Sequence, residues 1–123
     1  MKFREIKLKT GTKILLGKDA ESNDELVEKF KGKENIILHT VAPGSPFCVI
    51  SELNPSKEIV SLSGAYCAKF SQDWRDHKSD VRIHQFTGKE VRKPFFRKKK
   101  GTWKITKKPK ILKIKKESIK SLE

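Results

Sequence analysis

Apolar positions along the chain fall into short alternating runs broken by turn residues, with two stretches of helical spacing between them. Arg4, Ile6 and Leu8 alternate with Phe3, Glu5, Lys7 and Lys9, which puts Ile6 and Leu8 on one face of a first strand. Thr10-Gly11-Thr12 is a turn signal, and Lys13-Ile14-Leu15-Leu16-Gly17 reads as the return strand of a hairpin. Ser22-Asn23-Asp24-Glu25 has capping-box form, with Ser22 as the N-cap and Glu25 at the third helical position. Leu26, Val27 and Phe30 give the short helix that follows an apolar face, and Gly32 ends it. Ile36 to Val41 reads as a buried strand, Ala42-Pro43-Gly44-Ser45-Pro46 as a loop and Phe47 to Ile50 as the next strand.

Asn54-Pro55 predicts the start of the longest helix, with Asn54 as cap and Pro55 at the first helical position. Leu62, Tyr66, Phe70 and Trp74 recur every fourth residue and form one row, with Ala65 and Ala68 as small surfaces beside it. Gly64 lowers helix propensity by about 1 kcal/mol against Ala, which a closely passing strand would explain. Val81 to Phe86 alternates as a half-buried strand, and Thr87 to Lys100 is a basic connector. Gly101 to Ile105 reads as a strand with Trp103 and Ile105 inward. A last strand lies within Lys110 to Lys115, facing inward through Ile111 or through Leu112 and Ile114. Strands and two helices without regular β-α alternation predict an α+β fold with a mixed or antiparallel sheet and a basic C-terminal extension. Residues 1–115 are expected to form one compact domain, and 116–123 a basic tail, either a frayed helix or disordered.

Length and composition narrow the class. A chain of 123 residues has room for one core. No apolar run is long enough to span a membrane, and Met1-Lys2-Phe3-Arg4-Glu5 lacks the apolar stretch of a secretory signal. The formal net charge is +14, and it is unevenly placed. Residues 1–88 hold 14 Lys+Arg against 12 Asp+Glu, whereas residues 89–123 hold 15 against 3. A near-neutral body with a strongly basic end points to a polyanion: nucleic acid first, an anionic membrane surface second, a merely solubilising tail as the bland alternative. Cys48 and Cys67 are too few and too far apart for a disulfide framework or zinc motif and read as small core residues. A reducing, cytoplasmic compartment suits them. His39, His77 and His84 add no metal-site spacing, and no cofactor is implied.

No catalytic constellation emerges. Ser45 lacks a nucleophile elbow, Asp73 and Asp76 read as solvated, and Gly44 has no second glycine at phosphate-loop spacing. The basic connector carries more. Arg92, Lys93, Arg97, Lys98, Lys99 and Lys100 fall within nine residues, with Phe95 and Phe96 among them and Trp103 just beyond. Cations bind phosphates by charge and counterion release, and aromatics stack on unpaired bases, so this mixture suits RNA better than a smooth membrane. The competing reading puts the Phe pair and Trp103 in the core.

The succession Ile14-Leu15-Leu16-Gly17-Lys18-Asp19-Ala20, Ser22-Asn23-Asp24, Ile37-Leu38-His39 and Pro43-Gly44-Ser45 resembles the RNA-binding module of the NFACT family. A helix mixing small residues, aromatics and a serine follows (Ala65 to Ser71, with Lys69 inside it), then the basic stretch Lys89 to Lys93 and the glycine-led Gly101-Thr102-Trp103. The likeness covers roughly residues 12–106. Pro46 stands where the family has a loop histidine, aliphatics replace the aromatic before His39, and the His39 to Pro43 segment is one residue shorter. The large members act in ribosome-associated quality control and engage tRNA and the large ribosomal subunit. Their other domains have no counterpart here, so the resemblance implies a stand-alone module.

On that resemblance, Lys18, Asn23, Asp24, His39, Gly44, Ser45 and Lys69 form one RNA-facing surface, joined by the basic residues of the connector. Lys18 reaches a phosphate, a helix N-terminus near Asn23 offers backbone N–H groups, and Gly44 lets backbone approach a ligand. The structural alternative is that Ser22 to Glu25 only caps a helix and Gly44-Ser45 only turns the chain. The expected function is RNA binding in the cytoplasm, to tRNA or ribosomal RNA and to the ribosome, without enzymatic activity. Two rivals are an RNA-modifying enzyme using His39 or His84 as general base, and an adaptor for acidic protein or membrane surfaces. Oligomeric state is left open.

Overall fold

The computed structural model describes residues 3–94 and 100–123. Among them the order is β1 (Arg4–Lys7), β2 (Lys13–Leu16), α1 (Ala20–Phe30), β3 (Ile36–Thr40), β4 (Cys48–Ile50), α2 (Lys57–Lys69), α3 (Gln72–His77), β5 (Val81–Thr87), β6 (Val91–Arg92), β7 (Lys104–Ile105), β8 (Lys110–Ile114) and α4 (Lys116–Lys120). Six strands form one sheet in the order β1-β2-β4-β3-β5-β8, every neighbouring pair antiparallel. β6 and β7 pair separately as a small antiparallel arm. The fold is therefore α+β, with four helices instead of the two expected.

The sheet is apolar on both faces, which is why β2 and β4 read as unbroken apolar runs. On one face Ile14, Leu16, Leu38, Cys48, Ile50, Ile83 and Ile114 pack against Ile59, Val60, Cys67 and Ala68 of α2. On the other, Leu15, Ile37, Val49 and Phe86 pack against Leu26 and Val27 of α1 and Val91 of the arm. β8 faces inward through Leu112 and Ile114, and Ile111 stands exposed. A Cβ at Gly64 would lie 2.9 Å from Ile114 Cδ1, so β8 is the strand that demands glycine in α2.

Three sequence expectations are corrected. α1 begins one turn early: Asp19 is the N-cap and accepts from Ser22 N at 2.8 Å, while the Ser22 hydroxyl accepts from Asp19 N at 3.0 Å. Ser22 is thus the third helical residue, a position that turns Asn23 into the core. α2 starts after Ser56, not at Asn54, because Asn54 takes a left-handed turn conformation (φ 52°) and the Ser56 side chain caps Ile59 N. The aromatic row does not lie on one helix. Ser71 accepts from Trp74 N at 3.1 Å and donates to Ala68 O at 2.7 Å, closing α2 and opening α3 with one hydroxyl. Leu62, Tyr66 and Phe70 flank the core, and the small face of α2 carries the sheet.

The basic connector opens with a defined turn. Thr87 N donates to Glu90 Oε1 at 2.9 Å across a single helical turn, Gly88–Glu90, which leads into β6. At the other end, residues 116–123 close the core. Ile119 is fully buried, Lys116 N donates to Asp80 Oδ1 at 2.9 Å, and Trp74 Nε1 donates to Glu123 Oε2 at 2.8 Å. Ile119→Ala is accordingly expected to lower unfolding free energy by about 2–5 kcal/mol in urea denaturation. A change within about 0.5 kcal/mol would mark a detached segment instead.

Candidate nucleic-acid interface

The end of β2, the start of α1, the loop before β4, the α2–α3 junction and the start of β7 meet around a cleft of about 660 Å³. The local reasons are few. Asn23, buried in α1, accepts from Phe47 N at 2.9 Å, and Gly17 N donates to Phe47 O at 3.1 Å. A Cβ at Gly17 would overlap Asn23 Oδ1, so only glycine lets the strand end run this close to the helix. The opposite lip is the Pro43-Gly44-Ser45 loop. Gly44 has φ +90°, and its carbonyl accepts from Gln72 N at 2.8 Å, which fastens the loop to α3. Ser45 Oγ accepts from Thr40 N at 3.1 Å.

The walls are aromatic and the mouth cationic. His39, Phe47, Phe70 and Trp103 line the cleft together with Arg4, Lys18, Arg75 and Lys100. The Arg4 guanidinium lies 4.0 Å from the Phe70 ring centroid, and Lys69 Nζ lies 5.2 Å from it. Arg75 is held by Phe70 O at 3.3 Å and Gln72 Oε1 at 2.9 Å. Asp24 Oδ1 accepts from Gly101 N at 2.8 Å and from Trp103 Nε1 at 3.1 Å, while its Oδ2 lies 3.9 Å from Lys93 Nζ. Lys93 Nζ in turn sits 4.7 Å from the Trp103 ring centroid. One carboxylate therefore draws both described ends of the basic connector to α1.

Of the residues singled out in the sequence, Lys18, Asn23, His39, Gly44, Ser45 and Lys100 line the cleft; Asp24, Lys69 and Lys93 touch residues that do. Asn23 and Asp24 direct their side chains to donors within the protein. The helix N-terminus lies at Asp19 and not near Asn23, and the Asp19 side chain takes one of its donors. Arg92 sits on β6, where it donates to Lys93 O, outside the lining. Arg97, Lys98 and Lys99, with Phe95 and Phe96, lie outside the described residues. Trp103 is half-buried, packed on the α1 side of the sheet while lining the cleft. Sequence reasoning missed Arg4, Phe70 and Arg75 as cleft residues. Arg4 carried a signal, a charge in register with Ile6 and Leu8 on the inward face of β1.

Burial holds His39 down at about 4 against its usual 6.5, opposed first by the backbone of Thr40, assisted by the charge of His84 and opposed least by the backbone of Ser45. Its Nδ1 is 2.9 Å from Thr40 O, and its ring stacks on Phe47 at 4.3 Å, tilted by 33°. The cleft floor is uncharged at neutral pH, and a base this weak is badly matched to proton abstraction there. Below it, burial raises Cys67 to about 12 and Cys48 well above the usual thiol range; both are buried and free. Among the described residues no group of three His, Cys, Asp or Glu could hold a metal ion, and no helix is long and apolar enough to cross a membrane.

The His39 shift gives stability a definite pH slope. The ring is neutral when folded but takes a proton near 6.5 when unfolded, so between about 4 and 6.5 the unfolded state binds more protons. Stability from this residue is complete above that window and lost as pH falls through it, by at most about 3 kcal/mol. Urea titrations at about pH 7 and about pH 4.5 should therefore show the wild type losing more stability than His39→Phe. Equal losses would contradict a buried neutral imidazole.

The family model of the NFACT protein RNA-binding domain matches residues 2–105. No curated protein matches the chain significantly. Among solved structures, the C-terminal part of the fibronectin/fibrinogen-binding protein from Streptococcus suis superposes with a TM-score of 0.83 at 28% sequence identity. The alignment covers 98% of this chain and 49% of that one, so the chain spans about half the length of the solved relative. With most of its length matched and the motif residues gathered at one cleft, the chain belongs to the NFACT RNA-binding domain family.

Proposed function

We propose that this domain binds a structured RNA of the translation machinery, tRNA or ribosomal RNA, through the cleft between α1, the Gly44 loop and β7, and that it acts as a binding module without catalysis. The observation that carries the proposal is the convergence of cations on one place. Arg4, Lys18, Arg75 and Lys100 come from four separate segments yet line one cleft, with Lys69 and Lys93 beside its aromatic residues. Arg4 is placed against the Phe70 ring and Arg75 against the Phe70 carbonyl, so two of these cations are held at the cleft. The family match supports RNA as the polyanion, and a role at the ribosome, in the cytoplasm, is the extension proposed from it. The enzyme reading is weaker because the one histidine in the cleft is a poor base near neutrality.

The test is the salt dependence of binding. With about six cationic contacts, log affinity for single-stranded RNA is expected to fall against log salt with a slope of about −4. Lys18→Glu combined with Arg75→Glu should lower affinity at least about tenfold and flatten the slope by about 1.4. Filter binding with a single-stranded RNA measures both quantities, and parallel titrations with tRNA and ribosomal RNA fragments rank the two RNAs. A flat salt response, or a double variant that binds as well as the wild type, would remove the cleft from the reading. Equal affinity for anionic vesicles would favour the membrane-adaptor alternative.

A further inference from the structure

The cleft is a recess with more in it than a cationic track needs. Gripping phosphates along a duplex takes only an exposed row of Lys and Arg, because the charges of a duplex lie on its outside. Here the cations stand around a hollow of about 660 Å³ whose lining includes Phe47, Phe70, Trp103 and His39. That volume is typical of pockets that enclose a small organic ligand. A base pair inside a helix has its faces covered by its neighbours and cannot enter such a hollow, whereas an unpaired base can be splayed out onto aromatic and guanidinium planes. Resting on the RNA-binding reading above, we infer that the cleft receives one unpaired nucleotide of the bound RNA, its base against Trp103 and its phosphate among Arg4, Lys18 and Arg75.

Several arrangements prepare the cleft for that ligand. Trp103 is not a loose surface ring: its Nε1 donates to Asp24 at 3.1 Å, so the indole plane is set before binding. The Arg4 guanidinium is already placed 4.0 Å from the Phe70 centroid, and Arg75 is anchored by Phe70 O. Gly17, Gly44 and Gly101 line the recess, and each turns its missing side chain to a protein neighbour (Asn23, Gln72 and Ala20), so the glycines draw the walls of the cleft together. Asp24, the nearby carboxylate that would repel a phosphate, is engaged by Gly101, Trp103 and Lys93. The neutral His39 ring stacked on Phe47 completes an uncharged floor beneath the cationic mouth.

The experiment compares a blunt RNA duplex with the same duplex carrying a short unpaired tail that ends in a fluorescent purine analogue, both titrated with the full chain. The tailed RNA is expected to bind about tenfold more tightly or better, with quenching of the analogue as it stacks. Trp103→Leu, which keeps apolar bulk but removes the indole, should erase the quenching and lower affinity for the tailed RNA more than for the blunt duplex, so that the preference is lost. Trp103→Phe, which keeps a ring face, should restore part of the preference and shows whether the site survives loss of the Asp24 bond. A thermal melt of each variant separates a misfolded protein from an altered site. Equal binding of blunt and tailed RNA by the wild type overturns the inference and leaves RNA binding standing. Absence of salt-dependent binding to either RNA overturns both.

Discussion

The cleft depends on one buried hydrogen bond, from the backbone N–H of Phe47 to the side-chain oxygen of Asn23. An N–H in that position without a partner would cost about 1–3 kcal/mol, so the amide is not an optional contact. Meeting it requires α1 to start at Asp19, so that Asn23 points inward, and requires glycine at position 17, where any Cβ would overlap the amide. Those two requirements bring the end of β2, the head of α1 and the entry to β4 to one point. Lys18 stands at the cleft mouth because Gly17 and Asp19 are both committed, and Phe47 lies under His39 because its backbone is held. Cleft-lining and fold-determining residues are here adjacent in sequence but opposite in role.

Electrostatics follow the same division. The body of the domain is almost neutral, and most of the positive excess lies after residue 88. Left to itself a stretch so rich in Lys and Arg would repel its own charges and extend away from the surface. Asp24 counters this at the two ends the structure describes, through Lys93 on one side and Gly101 with Trp103 on the other. An acidic residue beside a cationic cleft is thereby explained by what it holds in place. The gain in charge-assisted hydrogen bonding is local, while its effect is to keep cations on the same side as Lys18 and Arg75.

Much of the fold could be read from the chain because period-two alternation and turn residues are local signals: the β1–β2 hairpin, β5 and the two central buried strands are all where patterning puts them. The motif residues Lys18, His39, Gly44 and Ser45 were legible only through the family resemblance, and the structure brings them to one cleft. What could not be read was decided by tertiary competition. Ser22 and Asp19 are both acceptable caps, and the reciprocal bonds between them together with the burial of Asn23 select Asp19. Leu62, Tyr66, Phe70 and Trp74 keep helical spacing across a break that Ser71 makes possible by serving two backbones at once. The register of β8 was open because Ile111 and Leu112 are equivalent by hydrophobicity; Gly64 settles it, since the gap it leaves fits Ile114. Arg75 and Phe70 gave no signal, because their place in the cleft comes from the turn between α2 and α3.

Binding and support occupy different parts of the chain. All residues lining the cleft lie between Arg4 and Ile105, within the stretch that matches the family. β8 and α4 fall beyond it, and they contribute Ile114 and Ile119 to the face of the core that carries α2. Since α2 and α3 set the position of Phe70 and Arg75, these last elements influence the cleft only by fixing a helix that forms one of its sides. A substitution there would act through stability, lowering the folded fraction, whereas a substitution at Lys18 or Arg75 would alter the charge of the cleft itself. The link between the two is Phe70, which packs against the core and carries Arg4 and Lys69 over its ring.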